Sequence, residues 1–318
     1  MFLTVTHLRI GTRGSALALW QAERVQDLLA RLGTRSELVT VRTSGDEGSA
    51  RPAQYVEGKG LFTRELEDAL LDHRIDAAVH SLKDLGAALP ARLELVAYPE
   101  REDPRDALVT RSGCALERLP RGARVGTSSL RRIAAIRAAR SDLNVVPLRG
   151  NVPTRVARVE RGELDGAVLA LAGLRRLGLV DKAVPLDPTV FVPAPGQGAI
   201  AVEIRSDDAV TRAAFQRLDN AEVRVAVEAE RAAMAELEGG CRVPLGVVCL
   251  GSGGARTLHL RVYALDGSQS LSVQAQVDLA NPRASGIEAA RRLLAAGAAA
   301  LIRTEVPPAP TANEVSGR

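Results

Sequence analysis

Aromatic residues make up only 3% of the 318-residue chain, and no long block of consecutive basic residues occurs. Binding to single-stranded nucleic acid relies on aromatic platforms and basic tracts. A formal net charge of +4 and a pI near 9.3 therefore point to a small polyanion and not to nucleic acid. Cysteine is scarce: Cys114, Cys241 and Cys249 are far apart and odd in number, so neither a disulfide framework nor a CxxC zinc pair is indicated. The histidines His7, His73, His80 and His259 lack metal-ligand spacing, so no metal site is expected. No uncharged apolar run reaches membrane-spanning length, and the stretch from Met1 to Ile10 has no signal-peptide pattern. A cytoplasmic protein that does not bind membranes is expected. No coiled-coil heptad calls for assembly, so a monomer is expected. What remains is 46% hydrophobic and 25% charged, the balance of a globular protein, and the length suits two or three domains.

Apolar periodicity alternates between strand and helix, the signature of α/β architecture with mainly parallel sheets. The pattern also repeats. Arg9-Ile10-Gly11-Thr12 opens a helical run ending near Arg31, and Arg124-Val125-Gly126-Thr127 opens another ending near Arg140. Asp76-Ala77-Ala78-Val79 continues to Leu85, as Asp165-Gly166-Ala167-Val168 continues to Leu174. An amphipathic helix precedes each second strand, carried by Phe62, Leu66, Ala69 and Leu70 in one copy and by Val152, Val156 and Val159 in the other. Two similar domains are expected to face each other, with ligands outside the carboxyl ends of their strands.

Proline and glycine mark hinges at residues 100–104 and 192–198. The expected division is residues 1–100 with 198–218 for the first domain, 104–193 for the second and 220–304 for a smaller α+β third domain. In the third, a helix capped by Asn220 stops at Gly239-Gly240, strands follow near residues 243–250, 259–265 and 271–277, and one helix spans about residues 284–302. Residues 305–318, rich in proline and small residues, are expected to be a disordered tail.

The duplication serves as an internal control. Lys83-Asp84 in the first copy corresponds to Ala172-Gly173 in the second, so the scaffold itself does not require the charged pair. A solvated pair capping a turn is the bland alternative; the asymmetry favours function. Arg131-Arg132 opens a helix after Thr127, Ser128 and Ser129, where cations oppose the helix dipole by about 0.3–1 kcal/mol each. A bound anion there would relieve that conflict, with the hydroxyls and guanidinium groups all turned to it; a solvated surface pair explains the residues about equally well. Arg13, Arg149, Arg155 and Arg176 fall in corresponding loops and together ring the expected cleft. Residues 44–60 are polar and glycine-rich and end beside Lys59, the pattern of a binding lid. Cys241 sits after a helix C-terminus whose dipole disfavours a thiolate, while Arg242 favours one; its reactivity stays open on these grounds.

Several stretches carry a family resemblance: Gly58-Lys59-Gly60-Leu61-Phe62, Val79-His80-Ser81-Leu82-Lys83-Asp84, Arg101-Glu102-Asp103-Pro104-Arg105-Asp106-Ala107, residues 125–132 and 148–155, Pro195-Gly196-Gln197-Gly198-Ala199 and Glu238-Gly239-Gly240-Cys241. Running in order up to about Leu250, they resemble the porphobilinogen deaminase (hydroxymethylbilane synthase) family. The resemblance implies two domains like periplasmic binding proteins plus a third domain, and a dipyrromethane cofactor in thioether linkage to Cys241. It implies that four porphobilinogen molecules are joined head to tail with loss of ammonia and released as the linear tetrapyrrole hydroxymethylbilane. By position, Asp84 is then the catalytic carboxylate. Arg13, Ser15, Lys83, Ser129, Arg131, Arg132, Arg149, Arg155 and Arg176 hold the acetate and propionate groups. The chain departs from the family at Leu85-Gly86, where Val-Pro is usual, and at Pro153.

A binding module leaves Asp84, Cys241 and the third domain without a role. A Schiff-base enzyme using Lys83 would be trapped by borohydride, and a nucleic-acid binder would show steep salt dependence.

Overall fold

A computed structural model describes residues 7–42, 63–237 and 244–302; Lys59, the proposed lid, Cys241 and the 305–318 tail lie outside the described residues. Three sheets organise what is described. The first, ordered β2-β1-β3-β10-β4, is built from β1 (Leu8–Thr12), β2 (Ser36–Thr40), β3 (Ala77–Ser81), β4 (Leu93–Ala97) and β10 (Ile200–Arg205). The second, ordered β7-β6-β8-β5-β9, uses β5 (Asp106–Thr110), β6 (Arg124–Gly126), β7 (Asn144–Val146), β8 (Gly166–Ala170) and β9 (Ala183–Pro185).

The two sheets share one plan. In each, one strand runs against the rest: β10 is antiparallel to β3 and β4, and β5 to β8 and β9. Each of these strands is reached by a crossing of the chain, so the sheets are tied by two connections. The duplication extends to single atoms. Asp76 accepts a hydrogen bond from the Arg9 amide at 2.8 Å, as Asp165 does from the Arg124 amide at 2.7 Å. Gly11 and Gly126 occupy equally tight places: a Cβ would stand 2.3 Å from Ile75 Cδ1 in one copy and 2.7 Å from Leu164 Cδ1 in the other, so that the facing side chain would have to shift.

Helices follow the strands as the periodicity predicts: α1 (Ala16–Arg31), α2 (Arg64–Leu71), α3 (Leu130–Ala139), α4 (Val152–Glu160), α5 (Leu171–Arg176) and α6 (Ala209–Phe215). Helix α1 buries Gln21, Ala22, Val25 and Leu29 against the first sheet. Pro153 sits in the first turn of α4, where its missing N–H has no helical partner to lose.

The remaining residues form α7 (Ala221–Leu237), the antiparallel sheet β11 (Leu245–Ser252), β12 (Ala255–Tyr263) and β13 (Ser270–Gln276), then α8 (Pro282–Ala295) and α9 (Ala298–Ile302). Asn220 caps α7 by accepting from the amides of Glu222 and Val223. The single C-terminal helix read from periodicity is two, because Gly297 adopts φ +99°, a left-handed conformation that interrupts a helix at little cost in glycine.

The hinge segments lie side by side. Arg101 bridges Ala199, and the Glu102 amide donates to the Gly198 carbonyl at 3.0 Å. Glu230 of α7 locks them: it pairs with both terminal nitrogens of Arg101, at 2.7 and 3.1 Å, and accepts from the amides of Gly196 and Cys249 at 2.7 Å each. Strand β11 also donates from the Val247 amide to Pro193, so the third sheet is fastened to the hinge.

Candidate active site

The apolar strand β3 ends at Ser81 and turns through Leu82, Lys83 and Asp84 in a short 3-10 helix, with Leu82 buried beneath. Leu82 anchors the turn in the core, and Asp84, two positions on, is exposed. In the second copy the same turn begins α5, and Ala172 and Gly173 are buried. A Cβ on Gly173 would meet Leu17 of α1 at 3.4 Å. One copy of the turn thus forms part of the contact between the halves while the other carries charge, which is the physical basis of the asymmetry.

Cations from the second half gather opposite Asp84. Lys83 keeps some accessible surface, yet its ammonium is enclosed by protein, and burial pushes it down to about 8. Asp84 and Asp106 oppose that shift, while Arg132 and Arg155 add to it. Burial likewise lowers Arg155, with Arg132 adding and Asp84 opposing. Lys83, Asp84, Arg132 and Arg155 are therefore mutually close in electrostatic terms although they come from separate sheets.

The anion beside the α3 N-terminus is supplied by the protein itself. Arg131 donates to Asp106 Oδ2 at 2.7 Å and to the Val192 carbonyl at 2.8 Å. Arg132 donates to Asp106 Oδ1 at 2.7 and 3.1 Å and to the Val168 carbonyl at 3.1 Å. Gln197 completes the cluster by donating to Asp106 at 2.9 Å. Burial alone would raise the Asp106 carboxyl, but the two guanidinium groups outweigh it and hold it well below the usual carboxylate range. Instead of both facing outward to an external ligand, Arg131 and Arg132 are buried, at 5% and 6% exposure.

The hydroxyls are also engaged. Ser128 exchanges hydrogen bonds with the Leu148 backbone at 3.1 Å, and Thr127 accepts from the Ser129 amide. Ser129 is the N-cap residue of α3 but makes no side-chain cap bond. Arg155 donates to the Gly150 carbonyl at 2.6 Å, and Arg149 is exposed. Arg176 lies deeper than its place in a cleft ring implies: it donates to the Gly198 carbonyl at 2.9 Å, reaches Glu100 at 3.5 Å and lies 5.3 Å from the Trp20 ring centroid. It joins the halves at the hinge.

On the first side, Arg13 and Ser15 line a small cleft together with Gln21, Thr63, His80, Ser81 and Asp84. Ser15 caps α1, accepting from the Ala18 amide at 3.3 Å. Gly86, at the departure from the family pattern, turns its carbonyl to Arg231 at 2.9 Å. No cluster of metal-ligating side chains occurs among the described residues, and no helix there is long and apolar enough to cross a membrane.

Sequence reasoning gave no role to Asp106, Glu203 or Glu230. Each had a signal: Asp106 opens the wholly buried strand Asp-Ala-Leu-Val-Thr, Glu203 interrupts Ile-Ala-Val-Glu-Ile-Arg, and Glu230 lies on the alanine-rich face of α7. An acid in a buried run needs a partner.

The family described as "Porphobilinogen deaminase, dipyromethane cofactor binding domain" matches residues 8–213, and "Porphobilinogen deaminase, C-terminal domain" matches residues 225–295. A porphobilinogen deaminase of Syntrophobacter fumaroxidans is 46% identical over 92% of this chain and 95% of its own. One of Nocardia farcinica is 48% identical over 94% of this chain and 89% of its own. Among solved structures, a periplasmic substrate-binding protein of an ABC transporter from Coxiella burnetii aligns with TM-score 0.41 and 16% identity, over 66% of this chain and 91% of that one. With both family regions matched in order and such relatives spanning almost its whole length, the chain belongs to the porphobilinogen deaminase family of tetrapyrrole biosynthesis, whose N-terminal region binds the dipyrromethane cofactor.

Proposed function

We propose that the cleft between the first two sheets is where porphobilinogen is condensed, with Asp84 as the carboxylate at the reacting centre and Cys241 as the point of cofactor attachment. One observation carries this reading: Lys83, Arg132 and Arg155 come together beside Asp84, and Lys83, pushed down to about 8 chiefly by burial, is lowered further by the two arginines. Such a cluster favours a ligand bringing several carboxylates.

The donor set fits a dipyrromethane with its acetate and propionate groups. Arg13, Ser15, Lys83, Arg132, Arg149 and Arg155 would hold those groups, with Ser128, Ser129 and Thr127 shaping the α3 end. Arg131 supports Arg132 through Asp106, and Arg176 acts from the hinge. When bound, the cofactor supplies the pyrrole carbon at which joining begins, so no side chain is needed as nucleophile in each cycle. Asp84, beside a pyrrole N–H, would stabilise positive charge on the reacting unit and accept a proton.

The same reading divides the chain at residues 1–100 with 198–218, 104–193 and 220–304, assigns Lys59 to a lid, and takes the protein as a cytoplasmic monomer. Replacing Asp84 by Asn tests its centre. Turnover is expected to fall by about 10²–10⁴-fold with porphobilinogen binding and the melting temperature retained. Full turnover in that variant would overturn the reading.

A further inference from the structure

Behind Asp84 lies a pair with no role in the account so far. His80 Nε2 stands 2.9 Å from Glu203 Oε2, with the two side chains 4% and 0% exposed. Glu203 Oε1 is buried and has no hydrogen-bond partner among the described residues. An ionised carboxylate so enclosed, with one neutral imidazole for company, is costly. A proton shared between carboxylate and imidazole removes that cost, because the pair is then neutral overall. Glu67 of α2 is a further carboxyl close to the pair: burial raises it, a hydrogen bond with Thr63 opposes the rise, Glu203 adds to it and His80 opposes it.

Glu203 is sealed in the core, but His80 reaches the cleft. His80 lines the same cleft as Asp84, Arg13 and Ser15. Its strand continues directly into the turn bearing Asp84, and Glu203 comes from the neighbouring strand β10.

The condensation needs two proton operations. A C–N bond to the aminomethyl group breaks with its electron pair going to nitrogen, a C–C bond forms, and one proton leaves a pyrrole carbon. Overall one proton passes from carbon to departing ammonia, with no oxidant or reductant involved. Asp84 serves as acceptor. We infer that the His80–Glu203 pair is the proton source for the departing nitrogen, and that the proton collected by Asp84 restores it across the cleft. This rests on the placement of the reacting centre at Asp84 proposed above.

The test uses the cofactor-loaded enzyme, with Glu203→Gln and His80→Asn compared with the native chain and with Asp84→Asn. In Glu203→Gln the imidazole loses the carboxylate that retains its proton. The alkaline limb of kcat, followed by ammonia release, is expected to move to lower pH, with kcat about 10²-fold down on that limb and KM unchanged. A second reading uses only the native holoenzyme: the hydrogen-bonded imidazole N–H resonance of His80 exchanges with solvent faster while porphobilinogen turns over. A limb that stays in place, whether kcat is intact or lowered equally at every pH, overturns the inference. So does an exchange rate indifferent to substrate, including where the variants do not fold. Inactive Asp84→Asn beside unaffected pair variants removes the pair alone, whereas active Asp84→Asn removes the cleft reading.

Discussion

Lys83 makes the cation cluster measurable. Its ammonium lies at about 8 because burial disfavours its charge. Ligand carboxylates stabilise the charged form, so the bound state holds the Lys83 proton to higher pH than the free state. Binding should therefore be accompanied by proton uptake once pH reaches about 8. Affinity should fall as pH rises through that value, by at most about tenfold per pH unit for one proton. Restoring Lys83 from about 8 to its ordinary 10.5 bounds the effect at about 3 kcal/mol. Residual solvent access reduces this to about 1–2 kcal/mol.

The arginines do not titrate in this window, and loss of the proton uptake in Lys83→Gln separates Lys83 from the His80–Glu203 pair. Calorimetry of the cofactor-free Cys241→Ala protein with a porphobilinogen analogue lacking the aminomethyl group, in buffers of differing ionisation enthalpy, reads the proton directly. Lys83→Gln should bind more weakly at neutral pH and lose the proton uptake. Affinity of the cofactor-free protein that stays level from about pH 7 to about pH 10 would refute the reasoning.

Asp106→Asn leaves Arg131 and Arg132 buried without their carboxylate and should destabilise the fold by about 3–5 kcal/mol in denaturant titration. The Asp106 carboxyl is depressed, so its stabilisation is present above the ordinary carboxylate pKa and is lost as pH falls toward the folded value; the gap between native and variant should narrow only in acid. The Cys249 thiol, pushed up to about 11 by burial and by Glu230, should resist alkylation at neutral pH until the protein is unfolded, as peptide mass mapping would show.

Much of this architecture was legible in the chain because duplication displays each solution twice. Gly11 and Gly126, Asp76 and Asp165, and α1 and α3 repeat in register since both halves pack a strand, a glycine turn and a helix under the same constraints. Lys83-Asp84 stood out because its counterpart is Ala172-Gly173. Ion-pair partners were harder to read. Asp106 meets Arg131 and Arg132 only after β5 crosses into the second sheet, and Glu203 meets His80 only after β10 crosses back. Such pairings depend on topology and not on spacing. Arg176 likewise matches a loop position, yet its surroundings at Gly198, Glu100 and Trp20 come from three distant segments.

The family's N-terminal region binds a dipyrromethane cofactor, and the proposed function tethers it to Cys241 among the three cysteines. Intact-mass measurement of the purified protein tests that most directly. The mass should exceed that of the sequence by two linked pyrrole units, with the excess abolished in Cys241→Ala and retained in Cys114→Ala and Cys249→Ala. A mass equal to the bare sequence, or an excess that survives Cys241→Ala, would contradict the account.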